Sequence, residues 1–170
     1  GGFIGLVLGK HLQGQGAKVT VADRNATKRE LAKSLGLATG APVQLCKWSG
    51  RFNTVVEASG APENFEASIA LCKAGGAVCW LGNIHGDLTL PQQRVSMILR
   101  KELQLIGTWN SDYQRSSDDD WSRALALIGE SAWLNELVAE RVSLDALPGM
   151  LARLYDLKVN HREHGLVKVI

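Results

Sequence analysis

With 170 residues, 45% of them hydrophobic and 21% charged, the chain has the size and composition of one globular domain with a substantial core. A formal charge of +2, with Asp118, Asp119 and Asp120 lying between Arg115 and Arg123, leaves no basic stripe for nucleic acid. Cys46, Cys72 and Cys79 are too scattered for a zinc knuckle or a disulfide framework and fit buried, reduced thiols in a cytoplasmic protein. No apolar run is long enough for a membrane span, and the amino end does not resemble a secretory leader.

Residues 3–15 read as a helix, with Ile4, Leu8 and Leu12 on one side and Gly14 and Gly16 as the stop. A short strand follows at 18–22, ending at Asp23, and then a helix over 27–35 closed by Gly36. A strand is expected near Val43–Leu45 and another over 54–58, leading through Ser59-Gly60 into a helix at 63–73. Gly75-Gly76 should break the chain before a buried strand at 77–81. A loop from Gly82 to Pro91, a helix over 93–100 and a strand at 103–106 come next. Asp118–Asp120 should open a helix over 121–128, where negative charge favours the amino end. Ser143 and Asp145 suggest the cap of a helix over 146–157, with Pro148 in its first turn, and 166–170 reads as a terminal strand. Strands alternating with helices imply an α/β fold, a doubly wound Rossmann-type parallel sheet. The start of the chain then falls before or within the first strand of that sheet.

Gly1-Gly2-Phe3-Ile4-Gly5 carries the x-G-x-x-G part of the dinucleotide fingerprint G-x-G-x-x-G, with Gly1 in the variable place. Glycine there lets the main chain approach a pyrophosphate, Gly5 should let the helix pack closely on the sheet, and the helix start turns N–H groups towards the phosphates. An acidic residue about twenty positions on binds ribose hydroxyls in such sites, and Asp23 stands there. Taken alone, Asp23 also fits a solvated turn and Lys28 a solvated helix surface. Trp109 fits a core or an interface, and His85, His161 and His164 read as surface residues.

The run Leu81-Gly82-Asn83-Ile84-His85-Gly86-Asp87-Leu88-Thr89-Leu90, the segments Ile98–Leu103 and Ile106–Trp109, and Glu57-Ala58-Ser59-Gly60 resemble the medium-chain, zinc-dependent alcohol and polyol dehydrogenases. The similarity is to their coenzyme-binding domain and carboxyl terminus, and is nearest to the sugar-alcohol branch that includes the galactitol-1-phosphate dehydrogenases. The resemblance implies that Gly2, Phe3, Ile4 and Gly5 form the pyrophosphate turn. It implies that Asp23 accepts both adenosine-ribose hydroxyls, Lys28 reaches the same ribose and Arg24 flanks the adenine. A carboxylate at 23 repels a 2′-phosphate and so favours NAD, although an arginine such as Arg24 can accommodate that phosphate. Ser59 and Gly60 would pass beneath the adenosine half. Leu81, Gly82 and Asn83 would contact the nicotinamide carboxamide through the main chain, with Thr108, Trp109 and Asn110 completing that contact and walling the substrate pocket. One departure from the family stands before the last strand, where Gly165 is followed by Leu166 instead of a lysine, with Lys168 two positions on.

The family transfers hydride from a zinc-bound alkoxide of a sugar alcohol or its phosphate to NAD. Its zinc ligands belong to an amino-terminal GroES-like catalytic domain that these residues do not match. The expected organisation is therefore a coenzyme-binding domain over 1–170, with a return segment from about 134, zinc only in the absent domain, and no turnover by the chain alone. The resemblance further implies a homo-oligomer, dimer or tetramer, built through the edge strand 103–106, unless Lys101 and Glu102 guard that edge. Two other readings share these features: a non-catalytic NAD-binding regulatory module, and a zinc-free, NADPH-using quinone reductase of the same superfamily. A short-chain dehydrogenase is excluded, because Tyr113 and Tyr155 are followed four positions later by Ser117 and Val159 and not by lysine.

Overall fold

The computed structural model describes residues 1–115, 118–160 and 168–169. Two compact units emerge, one formed by 1–42 with 112–170 and the other by 43–111. Among the described residues every strand pairing is parallel. The fold is α/β and Rossmann-like, as the alternation of strands and helices implied.

In the first unit, α1 (Phe3–Gly14) leads to β1 (Thr20–Ala22), α2 (Ala26–Ser34) and β2 (Ala38–Gly40). β1 pairs with β2 from Thr20↔Ala38 to Ala22↔Gly40, and the Asp23 N–H extends the ladder to the Gly40 carbonyl at 3.3 Å. Asp23 therefore sits at the carboxyl end of β1. The core joins Leu6 of α1, Val21, Ala32, Leu35 and Leu37 with Leu137. α1 buries Leu6 and Gly9, whereas Ile4 of the expected apolar side is 61% exposed. The row Phe3, Leu6, Gly9 turns inward because Gly9 has no side chain. A Cβ there would lie 3.3 Å from Leu37 and 3.5 Å from Val19 and Val21. Gly9 thus makes a close helix-to-sheet approach, while a Cβ at Gly5 would meet nothing within 4 Å among the described residues.

The same unit continues with α5 (Asp120–Glu130), β6 (Val138–Glu140), α6 (Leu147–Val159) and β7 (Lys168–Val169). Asp119 caps α5 by accepting from the Ser122 N–H at 2.8 Å. Ser143 accepts from the Ala146 N–H ahead of α6, with Pro148 in the first turn. The terminal strand expected at 166–170 is β7, and its partner is β6, a strand that the sequence had not suggested. His161, His164, Gly165 and Leu166 lie outside the described residues.

In the second unit, β3 (Phe52–Glu57), α3 (Pro62–Leu71), β4 (Cys72–Trp80), α4 (Gln92–Arg100) and β5 (Gln104–Gly107) form a sheet of order β3-β4-β5. The strand expected at Val43–Leu45 is a 3-10 helix over Pro42–Trp48, and the pairing strand is β2. Pro42 removes a ladder donor at the start of that segment, and Ala38-Thr39-Gly40 is already aligned beside β1. Gly75-Gly76 does not end the strand but bulges from it: the pairs Phe52↔Cys72 and Thr54↔Ala77 advance further on β4 than on β3. Gly75 takes φ +68 in that bulge and donates to the Lys101 carbonyl at 2.7 Å.

Lys101 does not guard the β5 edge. Its Nζ donates to the Ala70 and Cys72 carbonyls at 3.0 and 2.8 Å, at the carboxyl end of α3, where a cation complements both the unpaired carbonyls and the helix dipole. Cys72 is buried as expected and Cys46 is exposed, which corrects the reading of three buried thiols. Burial pushes the Cys72 thiol up, against the opposing charge of Lys101, so it remains a protonated and unreactive core group. Among the described residues no helix is long and apolar enough to cross a membrane.

Candidate functional site

In the first unit, Gly2 is the extended residue that opens α1, and no side chain caps it. Phe3, Ile4 and Gly5 form the first turn of that helix. The Gly1 nitrogen lies 3.0 Å from Asp23 Oδ2, and a Cβ on Gly1 would stand 2.7 Å from that same oxygen. Glycine turn and carboxylate are therefore in direct contact, and the glycine that the contact requires is Gly1, which the motif had placed in its variable position. Asp23 Oδ1 accepts from the Asn25 N–H at 2.8 Å. Burial pushes the Asp23 carboxyl up, but the Asn25 N–H and the charge of Lys28 act the other way, and the group lies below its ordinary value.

Two further residues shape this turn. Asn25 is buried and caps α2 by accepting from the Lys28 N–H at 3.1 Å. Arg29 Nη1 donates to the Asp23 and Arg24 carbonyls at 2.7 and 2.8 Å. Asn25 was recoverable from its type just ahead of a helix. Arg29 was not, since its partners are main-chain carbonyls. Arg24 is exposed and Lys28 half-buried beside them.

In the second unit, the turns after β3, β4 and β5 meet. Gly60 takes φ +73, a Cβ on it would run into the Asn83 carbonyl oxygen, and its own carbonyl accepts from the His85 N–H at 2.9 Å. Gly82 is equally confined: a Cβ there would lie 2.6 Å from Glu57 Oε2 and 2.9 Å from the Ser59 nitrogen. The Trp80 indole donates to the Gly82 carbonyl at 2.6 Å, and the Thr108 N–H to the Trp80 carbonyl at 3.0 Å. An open pocket of about 280 Å³ results, lined by Trp80, Leu81, Gly82, Asn83, Gly107, Thr108 and Trp109. Five of these were expected site residues. Asn110 is exposed and not among the lining, and Trp109 is 75% exposed, neither core nor covered.

Glu57 was missed as a functional residue. It is 3% exposed, and its carboxylate accepts from Ser59 N, Ser59 Oγ and Gly60 N at 2.7, 2.6 and 3.2 Å. The clue was an acidic residue at the end of a buried strand just before a Ser-Gly turn.

The family model described as zinc-binding dehydrogenase matches residues 4–130. The chain belongs to the zinc-binding dehydrogenase family. Galactitol 1-phosphate 5-dehydrogenase of Escherichia coli (strain K12) is 31% identical over 156 residues, covering 85% of this chain and 45% of that protein. The crystal structure of galactitol-1-phosphate dehydrogenase from Escherichia coli superposes with a TM-score of 0.79 at 29% identity, over 94% of this chain and 48% of that one. A zinc-binding dehydrogenase from Sinorhizobium meliloti 1021, solved with NADP, superposes at 0.77 with 28% identity, over 99% of this chain and 49% of that one. The chain spans about half the length of the curated relatives it matches. As a member of the family it is a relative of oxidoreductases that act on small polyols. Among its described residues no three of His, Cys, Asp and Glu are grouped to hold a metal.

Proposed function

We propose that the chain is the coenzyme-binding domain of a cytoplasmic dehydrogenase that oxidises a secondary alcohol of a polyol or polyol phosphate with NAD. The observation that carries this reading is the Asp23 carboxylate at the end of β1, so close to the glycine turn that a Cβ on Gly1 would stand 2.7 Å from its oxygen. Such a carboxylate accepts hydrogen bonds from two neighbouring ribose hydroxyls and repels a phosphate on either, which favours NAD over NADP. Gly2, Phe3, Ile4 and Gly5 present the start of α1 to the pyrophosphate, where the helix dipole favours negative charge. Lys28 reaches the ribose and Arg24 flanks the adenine. In the second unit Ser59 and Gly60 support the adenosine half. Leu81, Gly82 and Asn83 meet the nicotinamide carboxamide through main-chain groups, and Thr108, Trp109 and Asn110 wall the substrate side. When bound, the coenzyme supplies the hydride acceptor.

Zinc and its ligands are assigned to a catalytic domain outside this chain, and the purified chain is expected to show no turnover of sugar alcohols with NAD and zinc. Robust turnover would overturn that division of labour. The β5 edge, with Leu105 and Ile106 each 46% exposed, is proposed to pair with a second copy. Light scattering coupled to size exclusion reads that directly.

Titration of NAD and NADP against tryptophan fluorescence tests the coenzyme assignment. Tighter NAD binding is expected, and equal or tighter NADP binding would reject it. The NADP-bound relative makes an NADPH-using, zinc-free reductase the second reading, and the same titration separates the two. A purely regulatory NAD module would need the Asp23 turn but not the loops that line the pocket.

A further inference from the structure

We propose that Glu57 is a positioning residue, whose buried carboxylate fixes the turn after β3 against the turn after β4 and so sets the shape of the pocket in the second unit. One residue holds both turns. Through its side chain, Oε1 accepts from Ser59 N, Ser59 Oγ and Gly60 N, and Oε2 shares the Gly60 N–H at 3.2 Å. Through its main chain, the Glu57 carbonyl accepts from the Leu81 and Gly82 N–H groups, both at 2.9 Å.

The consequences spread outward along hydrogen bonds. Donating its hydroxyl proton to Glu57 leaves Ser59 Oγ as an acceptor for the Ala61 N–H at 3.2 Å and the Asn64 amide at 2.9 Å, so the opening of α3 is tied to the same carboxylate. Gly60, held by Glu57, accepts from His85, and Gly82 accepts from the Trp80 indole. Glu57 itself does not line the pocket; Leu81, Gly82 and Asn83 do. The carboxylate acts through them. A side chain needed only for volume would have no use for an acceptor at this point. At Glu57 the acceptor is the feature in use, because the Ser59 and Gly60 main-chain donors converge on it.

That difference sets the experiment, made on the full chain. Glu57→Gln keeps one acceptor oxygen in place, whereas Glu57→Leu keeps the bulk and removes both. NAD affinity by tryptophan fluorescence, and amide and indole hydrogen exchange by NMR, are read on each. Glu57→Gln should bind NAD within about threefold of the parent, while Glu57→Leu should bind at least about tenfold more weakly, because buried donors are left without an acceptor. In Glu57→Leu the His85 amide and the Trp80 indole should exchange at least about tenfold faster, with the α3 interior at Ile69 unchanged, since the loss is local to the loops. Retained affinity and protection in Glu57→Leu would overturn the proposal, as would equal damage in the two variants. The ligand in this test rests on the coenzyme reading. If the parent chain binds no NAD, that reading fails, and the exchange measurements alone judge Glu57. Should Glu57→Leu not fold, Glu57→Met keeps the length of the side chain and its flexibility while removing the carboxylate acceptor. Faster exchange at Ser59 and Gly60 is then expected, and unchanged exchange would reject the proposal.

Discussion

Gly60→Ala separates a steric requirement from a conformational one. Gly60 has φ +73 and Gly75 has φ +68, so alanine at either position incurs the left-handed penalty, roughly 1–2 kcal/mol. Both variants also lose unfolded-state entropy, which returns about 0.4–1 kcal/mol in each case. The surroundings differ. A Cβ at Gly75 meets nothing within 4 Å among the described residues, whereas one at Gly60 runs into the Asn83 carbonyl and comes within 3.1 Å of the His85 ring. A main-chain oxygen yields only if its turn moves, and overpacking of that kind costs about 1–3 kcal/mol. Gly75→Ala should therefore be destabilised by at most about 1.5 kcal/mol, and Gly60→Ala by roughly 1–3 kcal/mol more. In thermal melts followed by tryptophan fluorescence, the two should differ by roughly 3–10 °C. Equal melting temperatures would refute the claim that the turns after β3 and β4 are in main-chain contact.

Lys101→Met removes two charged donors from the carboxyl end of α3 and should destabilise by about 1–2 kcal/mol. Lys73→Met, an exposed control, should stay within about 0.5 kcal/mol, both read by urea titration. Asp23 has its pKa lowered in the fold, so it adds stability above the ordinary carboxylate value of about 3.9, and that contribution is lost as pH falls through the folded value. Asp23→Asn should thus be less stable than the parent near neutral pH and converge with it in acid, as melts across a pH series would show. Asp23→Ser, which removes the repelling carboxylate beside exposed Arg24, should lose at least about tenfold in NAD affinity and narrow the NAD/NADP ratio, measured by the same fluorescence titration.

Features governed by local periodicity were legible in the sequence. The alternation of strands and helices gave the α/β class, and the Ser59-Gly60, Leu81–Asn83 and Thr108-Trp109 segments meet as their places after consecutive strands required. Errors arose where a distant contact overrode the local pattern. Ile4, Leu8 and Leu12 satisfy helical spacing, yet the buried side of α1 was decided by Gly9 against Leu37, Val19 and Val21, a contact that a helical wheel does not contain. Val43–Leu45 has strand composition, but the place beside β1 is taken by Ala38–Gly40. Gly75-Gly76 resembles a terminator because a bulge and a break require the same residues. The roles of Glu57, Arg29 and Lys101 were not legible for a common reason. Each bonds to main-chain atoms, and main-chain partners leave no mark in residue identity.

The choice of coenzyme shows what the fold cannot decide by itself. A relative with a TM-score of 0.77 was solved with NADP, so the architecture shared with this chain is compatible with a 2′-phosphate. On the proposed coenzyme reading, discrimination would lie in side chains at the end of β1. Two arginines are near enough in sequence to meet such a phosphate, but they are not equivalent. Arg29 has its guanidinium committed to the Asp23 and Arg24 carbonyls, which fixes the turn and withdraws that charge from any ligand. Arg24 is the exposed one, and it stands beside the Asp23 carboxylate, which accepts from the Asn25 N–H. A phosphate attracted by Arg24 would also have to approach Asp23, and a like charge at contact distance outweighs an exposed, solvent-screened attraction. On the proposed reading, a preference for NAD would depend less on the presence of an acidic residue than on the main-chain bond from Asn25 that holds it in place.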